Sequence, residues 1–141
     1  MPIKGTIIFA DNQTAYNIQN SEGVDTKGMQ ISNPKKVLIP YSVPGTFSFS
    51  VAFIIYGLEN GIYDLRFEMI SLDDKKTIDA NISEFRVKRS INEEIPIEFQ
   101  NVNVGLNIQN ALFKNKGEQK CRLYINGKVI AEDNVFVSSV E

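Results

Sequence analysis

The sequence predicts an all-β fold: an antiparallel β-sandwich of immunoglobulin-like type, with seven to nine strands in a single domain spanning residues 1–141. From residue 46 onward, apolar and polar residues alternate with a period of two, and no window of helical length shows a 3.6-residue period. Segments containing Gly, Asn or Asp separate these runs. With 141 residues, 43% of them hydrophobic, the chain is long enough to bury one self-sufficient core.

The first 45 residues show a weaker pattern. Lys4–Ala10 is predicted to form a strand, and Asn20–Gln30, with glycines at positions 23 and 28, a loop or a loose hairpin. Prolines at positions 34, 40 and 44 indicate an extended segment that crosses from one sheet to the other.

The longest predicted strand carries apolar residues on both of its faces. Its odd-numbered residues, from Phe47 to Ile55, are all apolar and are expected to face the core. The even-numbered face begins with two serines and then becomes apolar at Ala52, Ile54 and Tyr56. Because the outer face of an antiparallel strand is normally polar, we expect these three residues to be covered and take them as a candidate partner surface. The cover is the segment around Val37–Ile39, a second copy of the chain, or another protein.

Turn signals divide the central region. Gly57–Gly61 is predicted to be a short hairpin connection, and Asp73–Lys76 a second turn. Between them, Tyr63 is either a plain core aromatic or a corner tyrosine whose hydroxyl bonds to the backbone. The inward positions then change from even to odd near Ser83–Glu84, which predicts a bulge or bend, and in a sandwich such a bend allows a strand to change sheets.

The C-terminal half continues the alternation. Ile95–Phe99 is predicted to be a short strand at a sheet edge, since it contains a proline. The apolar residues of Val102–Ile108 alternate with asparagines. Cys121 falls on the core face of the next strand, which ends at Asn126–Gly127, the preferred dipeptide of a type I′ turn.

Composition excludes several classes of site. The chain has no histidine and one cysteine, which excludes Ser-His-Asp and Cys-His catalysis, an internal disulfide and Cys-rich metal sites. The acidic pairs, such as Asp73-Asp74, are not spaced as a calcium loop. We therefore predict no catalytic, cofactor-binding or metal-binding residues, and no enzyme activity. The net charge of −2 gives no electrostatic reason to expect nucleic-acid binding.

Compartment signals are sparse. Ile7–Ala10 is too short for the apolar region of a signal peptide, and the longest apolar stretch, Val51–Tyr56, is far shorter than the roughly 18 residues of a membrane span. A lone thiol fits the cytoplasm, so we expect a cytoplasmic protein without membrane contact. The richness in Ile, Asn and Lys is typical of an AT-rich bacterial or phage genome.

The order of features from Pro34 to Val137 resembles the DUF6941 family of uncharacterised bacterial β-sandwich proteins. The likeness lies in Pro44 followed by Phe47-Ser-Phe-Ser-Val-Ala-Phe53, in Gly61-Ile-Tyr-Asp-Leu-Arg-Phe67, and in Leu123-Tyr-Ile-Asn-Gly-Lys-Val-Ile130. The opening Ile7-Ile-Phe-Ala-Asp11 is also similar. The resemblance implies a fold and no biochemical activity.

The sequence thus favours a non-catalytic interaction or structural module. A protein partner or a homodimer would bind the surface formed by Ala52, Ile54 and Tyr56. The alternative is a small apolar-ligand-binding protein with a pocket between the sheets. Such a pocket would be lined by Phe47, Phe49, Phe53 and Phe67.

Overall fold

The computed structural model describes residues 3–19 and 25–141, and its regular structure there is almost entirely β. The strands are β1 (Lys4–Gln19), β2 (Asp25–Lys35), β3 (Val37–Leu38), β4 (Gly45–Tyr56), β5 (Gly61–Ser71), β6 (Lys76–Val87), β7 (Asn101–Phe113), β8 (Gly117–Ile125) and β9 (Lys128–Val137). A 3₁₀ turn at Ile97–Phe99 precedes β7. The predicted all-β class is confirmed.

The strands form two sheets. The four-stranded sheet has the order β2-β1-β4-β7, and the five-stranded sheet has the order β3-β9-β8-β5-β6. All neighbours are antiparallel except β3 and β9, which are parallel. β4 and β7 pair directly, although β5 and β6 lie between them in sequence and belong to the other sheet. This Greek-key connection between the two sheets is that of an immunoglobulin-like sandwich, as predicted.

The core lies between the two inner faces. The odd-numbered residues of β4 pack against those of β5, and the rings of Phe53 and Phe67 lie 5.2 Å apart across the sandwich. Phe49 lies 6.2 Å from Phe113 of β7, and Leu123 of β8 is also fully buried. Aromatic rings at these separations add favourable contacts to the hydrophobic burial.

The segment Gly57–Gly61 is not a hairpin. β4 belongs to the four-stranded sheet and β5 to the five-stranded sheet, so this segment is an arch between the sheets. The apolar faces of the two strands meet by stacking, whereas a hairpin would require the strands to pair edge to edge. Within the arch Leu58 is completely buried. The Tyr63 hydroxyl donates a 2.8 Å hydrogen bond to the Glu59 carbonyl, the geometry of a corner tyrosine.

The change of phase in β6 is a bulge, as predicted, but the strand does not change sheets. The register shifts between Tyr63 and Leu65, where two residues of β6, Ser83 and Glu84, lie opposite Asp64. Glu84 has a φ of 57°, in the left-handed region. β6 pairs with β5 on both sides of the bulge. The extra residue shifts the alternation by one position, so that the apolar side chains beyond the bulge again face the core.

The predicted edge strand at Ile95–Phe99 is wrong. Phe99 N donates to the Pro96 carbonyl at 3.0 Å, which closes a 3₁₀ turn in place of a ladder. The Gln100 side-chain amide donates to the carbonyls of Asn92 and Ile95, both at 2.8 Å. These local bonds satisfy backbone groups that a strand would have offered to a neighbour.

The N-terminal strands are longer than the sequence indicates. β1 continues beyond Ala10 to Gln19 and pairs with β2. The predicted loop therefore overlaps β2 from Asp25 onward, and positions 20–24 lie outside the described residues. After β2 the proline-containing segment crosses to the five-stranded sheet as β3 and returns as β4, in agreement with the predicted crossing.

The turn between β8 and β9 is the predicted type I′ turn. Asn126 and Gly127 have φ values of 50° and 80°, so both central residues are left-handed. The Asn126 backbone and side chain also exchange two 2.9 Å hydrogen bonds with the backbone of Asp64. The turn is thereby anchored to β5.

Candidate interaction surfaces

The outer face of β4 is partly covered by the chain itself. Ala52 is 1% exposed, and Ile54 and Tyr56 are half-buried. Gly105 of β7 lies opposite Ala52, and a methyl group built on this glycine would overlap the side-chain amide of Gln13 in β1. The part of β1 beyond Ala10 therefore passes over the outer face of the four-stranded sheet.

Polar contacts hold β1 on this face. The Gln13 amide donates to Asn107 Oδ1 at 3.2 Å, and the Ser50 hydroxyl donates to the same oxygen at 2.7 Å. Ser50 is almost fully buried, although it belongs to the nominally outer face. We call the part of the β1–β2 hairpin beyond Ala10 the hairpin arm. It leaves Ile54 and Tyr56 as the accessible members of the predicted partner surface, and their binding to a partner stays a prediction.

The segment around Val37–Ile39 is not the cover, contrary to one of our expectations. Val37 and Leu38 form β3 and pair with Phe136 and Val137 of β9, in the opposite sheet. Leu38 is completely buried in the core. The extended crossing places this apolar run against the far sheet, so its side chains cannot reach the outer face of β4.

A second apolar surface lies at the edge of the five-stranded sheet. Residues 37–41 alternate between outward side chains and the buried Leu38 and Pro40. Alongside them, residues 136–141 run parallel: the backbone N–H groups of positions 136, 138 and 140 donate to the carbonyls of positions 36, 38 and 40 at 2.9–3.1 Å. Five large apolar side chains, 41% to 69% exposed, project from these two segments. We call them the terminal patch: Val37, Ile39, Tyr41, Phe136 and Val140.

Sequence reasoning missed the terminal patch, although a signal was present. Val37-Leu-Ile39 and Val135-Phe-Val137 are continuous apolar runs without alternation. Such a run indicates a strand that is apolar on both faces. Only the parallel pairing of β3 with β9 brings the outward residues of the two runs together.

The outer face of β5 and β8 carries a buried carboxylate. Glu68 is 3% exposed and lies 3.1 Å from Arg66 Nη2, 3.6 Å from Lys76 Nζ and 3.7 Å from Arg122 Nη1. The Tyr124 hydroxyl donates to Glu68 Oε1, the oxygen that also faces Arg122, and this hydrogen bond raises the pKa of Tyr124. We call these five residues the Glu68 cluster. Its charges are paired within the chain, so it is a structural network.

The remaining polar candidates also have structural surroundings. Arg89 donates from its guanidinium to the Leu58 carbonyl at 2.7 Å, so its charged end is engaged with the arch between the sheets. Cys121 is fully buried, and burial raises the pKa of its thiol to about 12, so the reactive thiolate is scarce at neutral pH. Within residues 3–19 and 25–141, no group of three or more Cys, Asp or Glu residues is placed to hold a metal ion.

The four phenylalanines of the alternative ligand pocket lie in the packed core. Phe53 and Phe67 contact each other, and Phe47 stacks on Phe49 with ring centres 6.3 Å apart. Neither of two depressions on the described part of the molecule is lined by these rings. One of them lies beside Ile62 and Val87, and the other between two turns near Thr77.

Comparison with known proteins gives a structural likeness alone. No family model matches the chain, and no curated protein is similar to it in sequence. Among solved structures, the chain is similar to an immunoglobulin-like protein from Pseudomonas aeruginosa, at 12% identity and a TM-score of 0.44, over 94% of this chain and 97% of that one. A search of the described residues finds no helix long and apolar enough to cross a lipid bilayer.

Proposed function

We propose that this protein is a non-catalytic interaction module and that the terminal patch is the surface that binds another protein chain. One observation carries the proposal: five large apolar side chains share one outward face and are 41% to 69% exposed. Single exposed apolar residues are ordinary on soluble proteins. A contiguous group of them is typical of a protein-binding surface.

The shape of the patch supports a protein partner over a small molecule. Its side chains project from two neighbouring extended segments, whereas small-molecule sites are concave and enclose most of the ligand. Tyr41 adds an aromatic ring with a polar end, and its hydroxyl donates to the Glu141 carboxylate at 3.2 Å. Tyrosine and phenylalanine are enriched in protein interfaces, because they bury a large area with few rotatable bonds.

The edge of the sheet offers a second means of recognition. β3 has only two residues and pairs with β9 on one side, so the opposite side of this segment faces away from the sheet. An edge with free backbone groups is a template for strand pairing by a further chain. Both a second copy of this protein and a different protein fit this geometry.

Charge substitution at Phe136 tests the proposal. Phe136→Asp places a carboxylate in the centre of the patch, and the half-exposed position tolerates it in the monomer. Sedimentation velocity over a concentration series measures self-association, and quantitative capture from the native cell measures binding of other proteins. We expect Phe136→Asp to weaken the measured association by about tenfold or more, because a charge replaces buried aromatic area at the interface.

Two controls identify the surface that is responsible. Val129→Asp makes the same kind of change on β9, at a position 45% exposed and outside the patch, and should leave association unchanged. Ile54→Asp makes it on the outer face of β4. If Ile54→Asp weakens association and Phe136→Asp does not, β4 carries the interface and the terminal patch does not. Full association in both variants would refute the proposal that either surface binds a partner.

A further inference from the structure

A small polar pocket lies at the end of the sandwich where two turns meet. The β5–β6 turn spans residues 72–75 and the β7–β8 turn residues 114–116. The pocket has a volume of about 50 Å³, whereas a cavity needs only roughly 10–15 Å³ to hold one water. It therefore has room for a small polyatomic ion. Its polar lining comprises Ser71, Asp73, Lys75, Lys76, Thr77, Lys114, Asn115 and Gln119.

A buried amide forms part of the pocket wall. Gln119 of β8 is only 2% exposed, and its Oε1 accepts a 2.9 Å hydrogen bond from the Thr77 hydroxyl. Across residues 3–19 and 25–141, Gln119 Nε2 has no hydrogen-bond partner. This nitrogen is not sealed inside the protein, so it is a free donor at the pocket wall that is available to a bound acceptor.

The charge of the lining favours an anionic acceptor. Three lysines line the pocket against one carboxylate, that of Asp73. Asp73 is already engaged: its oxygens accept from the Ser71 hydroxyl, from Lys75 N at 3.3 Å and from Asn115 Nδ2 at 3.3 Å. The pocket thus presents donors and positive charge, with its only carboxylate held by bonds within the chain.

The three lysines of the pocket differ in whether they form ion pairs with carboxylates. Lys76 is shared with the Glu68 cluster, since its Nζ lies 3.6 Å from Glu68 and 3.1 Å from Asp79. Lys75 and Lys114 form no ion pair with any carboxylate in the described parts of the chain. Two ammonium groups, on two different turns that line the pocket, are therefore available to an ion bound there.

We propose that this pocket binds a small oxyanion of the phosphate class, either inorganic phosphate or a phosphomonoester. Gln119 Nε2 donates to one oxygen from the pocket wall, and Lys75 and Lys114 pair with the others from the two turns. Hydrogen bonds with a charged acceptor are stronger than neutral ones. The site is separate from the terminal patch, so its occupancy does not depend on the function proposed above.

Titration of the ¹⁵N-labelled protein tests the site. Sodium phosphate is added at constant ionic strength, with chloride as the reference anion, and amide chemical shifts are followed by NMR. We expect saturable shifts confined to residues 71–77 and 112–119. A parallel titration with phenyl phosphate distinguishes the two sources: tighter binding than that of inorganic phosphate indicates a monoester site, and weaker binding indicates a site for the free ion.

Variants separate a built site from general charge attraction. The Lys75→Ala/Lys114→Ala double variant should weaken phosphate binding by about tenfold or more, since it removes two charge-assisted contacts. Gln119→Glu keeps an acceptor for Thr77 but adds a negative charge, and should abolish binding. The Lys120→Ala/Lys128→Ala double variant removes an equal charge from two exposed positions outside the pocket, and should leave affinity unchanged.

Two results would overturn the proposal. Shifts that grow linearly with phosphate, without saturation, would show non-specific ion association. Equal weakening by Lys120→Ala/Lys128→Ala and by Lys75→Ala/Lys114→Ala would show that net charge alone is responsible. Because both lysines of each double variant are exposed, loss of the fold does not confuse this comparison.

Discussion

The outer faces of the two sheets are protected in different ways. On the five-stranded sheet, the Glu68 cluster covers β5 and β8 with paired charges and the long side chains that bear them. On the four-stranded sheet, the outer residues of β4 become small or apolar, and the hairpin arm passes over Ala52 and Gly105. One face uses side chains as its cover, and the other uses a further part of the backbone.

Each outer face buries one polar residue almost completely, but a different kind of contact buries it on each face. Glu68 is 3% exposed because Arg66 and Arg122 extend across it, and Arg66 also lies over the ring of Tyr124 at 5.2 Å. Such arginines bury their aliphatic carbons while their charged ends stay in contact with solvent. On the opposite face, Ser50 is buried to the same degree under the hairpin arm, and its hydroxyl is satisfied by Asn107. Near-complete burial on an outer face therefore has two physical origins here.

A side chain in the core between the sheets should contribute more to the free energy of unfolding than a side chain on an outer face. Phe67 lies 1% exposed between the sheets, and Phe67→Ala should cost about 3–5 kcal/mol of unfolding free energy, because it leaves a cavity beside Phe53. Urea denaturation followed by circular dichroism measures this cost. Arg66→Ala, on the outer face next to it, should cost far less, because its bonds to Glu68 and Asp79 are made by a solvated guanidinium. Equal costs would contradict the assignment of the two faces.

Removing the central carboxylate should break the cover of the five-stranded sheet. Glu68→Ala leaves the Tyr124 hydroxyl and three cations without their shared partner, and we expect a loss of about 2–3 kcal/mol. This is below the cost of breaking a fully buried pair, because the cations are partly solvated. The control is Glu132→Ala, whose exposed side chain pairs with Arg122 at 3.3 Å and should contribute about 0.5 kcal/mol or less. Similar losses in the two variants would mean that burial of Glu68 is unimportant.

Displacing Gln13 should loosen the cover of the four-stranded sheet alone. Gly105→Ala places a methyl group where the Gln13 amide lies, and loss of its bond to Asn107 should cost about 1 kcal/mol. Hydrogen exchange at residues 11–14 should accelerate while β5 and β8 stay protected. Gly61→Ala is the matched control, since its added methyl would meet only ordinary contacts with Tyr63. Unchanged exchange at residues 11–14 would show that Gln13 does not hold the hairpin arm.

Acid should weaken the charged cover through Asp79. Hydrogen bonds from Arg66 and then Lys76 lower the pKa of Asp79 below the usual value, about 3.9, which applies in the unfolded chain. Its contribution to stability is therefore complete above that value and is lost as the pH falls through the lowered pKa. Urea midpoints measured between pH 7 and pH 2 should decline less steeply for Asp79→Asn than for the wild type. Parallel curves would mean that the ion pairs of Asp79 do not contribute to acid sensitivity.

The sequence by itself determined which side chains of a strand share a face, and where several strands turn. Period-two alternation fixes the face, because successive side chains of a strand point in opposite directions. It placed Phe67 and Cys121 in the core, and both are buried. Turn and bulge chemistry is equally local, so Asn126–Gly127 and the bulge at Ser83–Glu84 were predictable from a few residues.

Only the tertiary structure decided which strands are neighbours and what covers each face. The alternation in β4 and β5 is the same whether the strands pair in a hairpin or stack across an arch, so Gly57–Gly61 was misassigned. The cover of Ala52 comes from β1, more than 30 residues away in sequence, through the position of Gln13 over Gly105. The terminal patch likewise exists only because β3 pairs with β9, at the opposite end of the chain. Contacts between distant segments depend on how whole sheets pack, and that packing leaves no periodic signal in either segment alone.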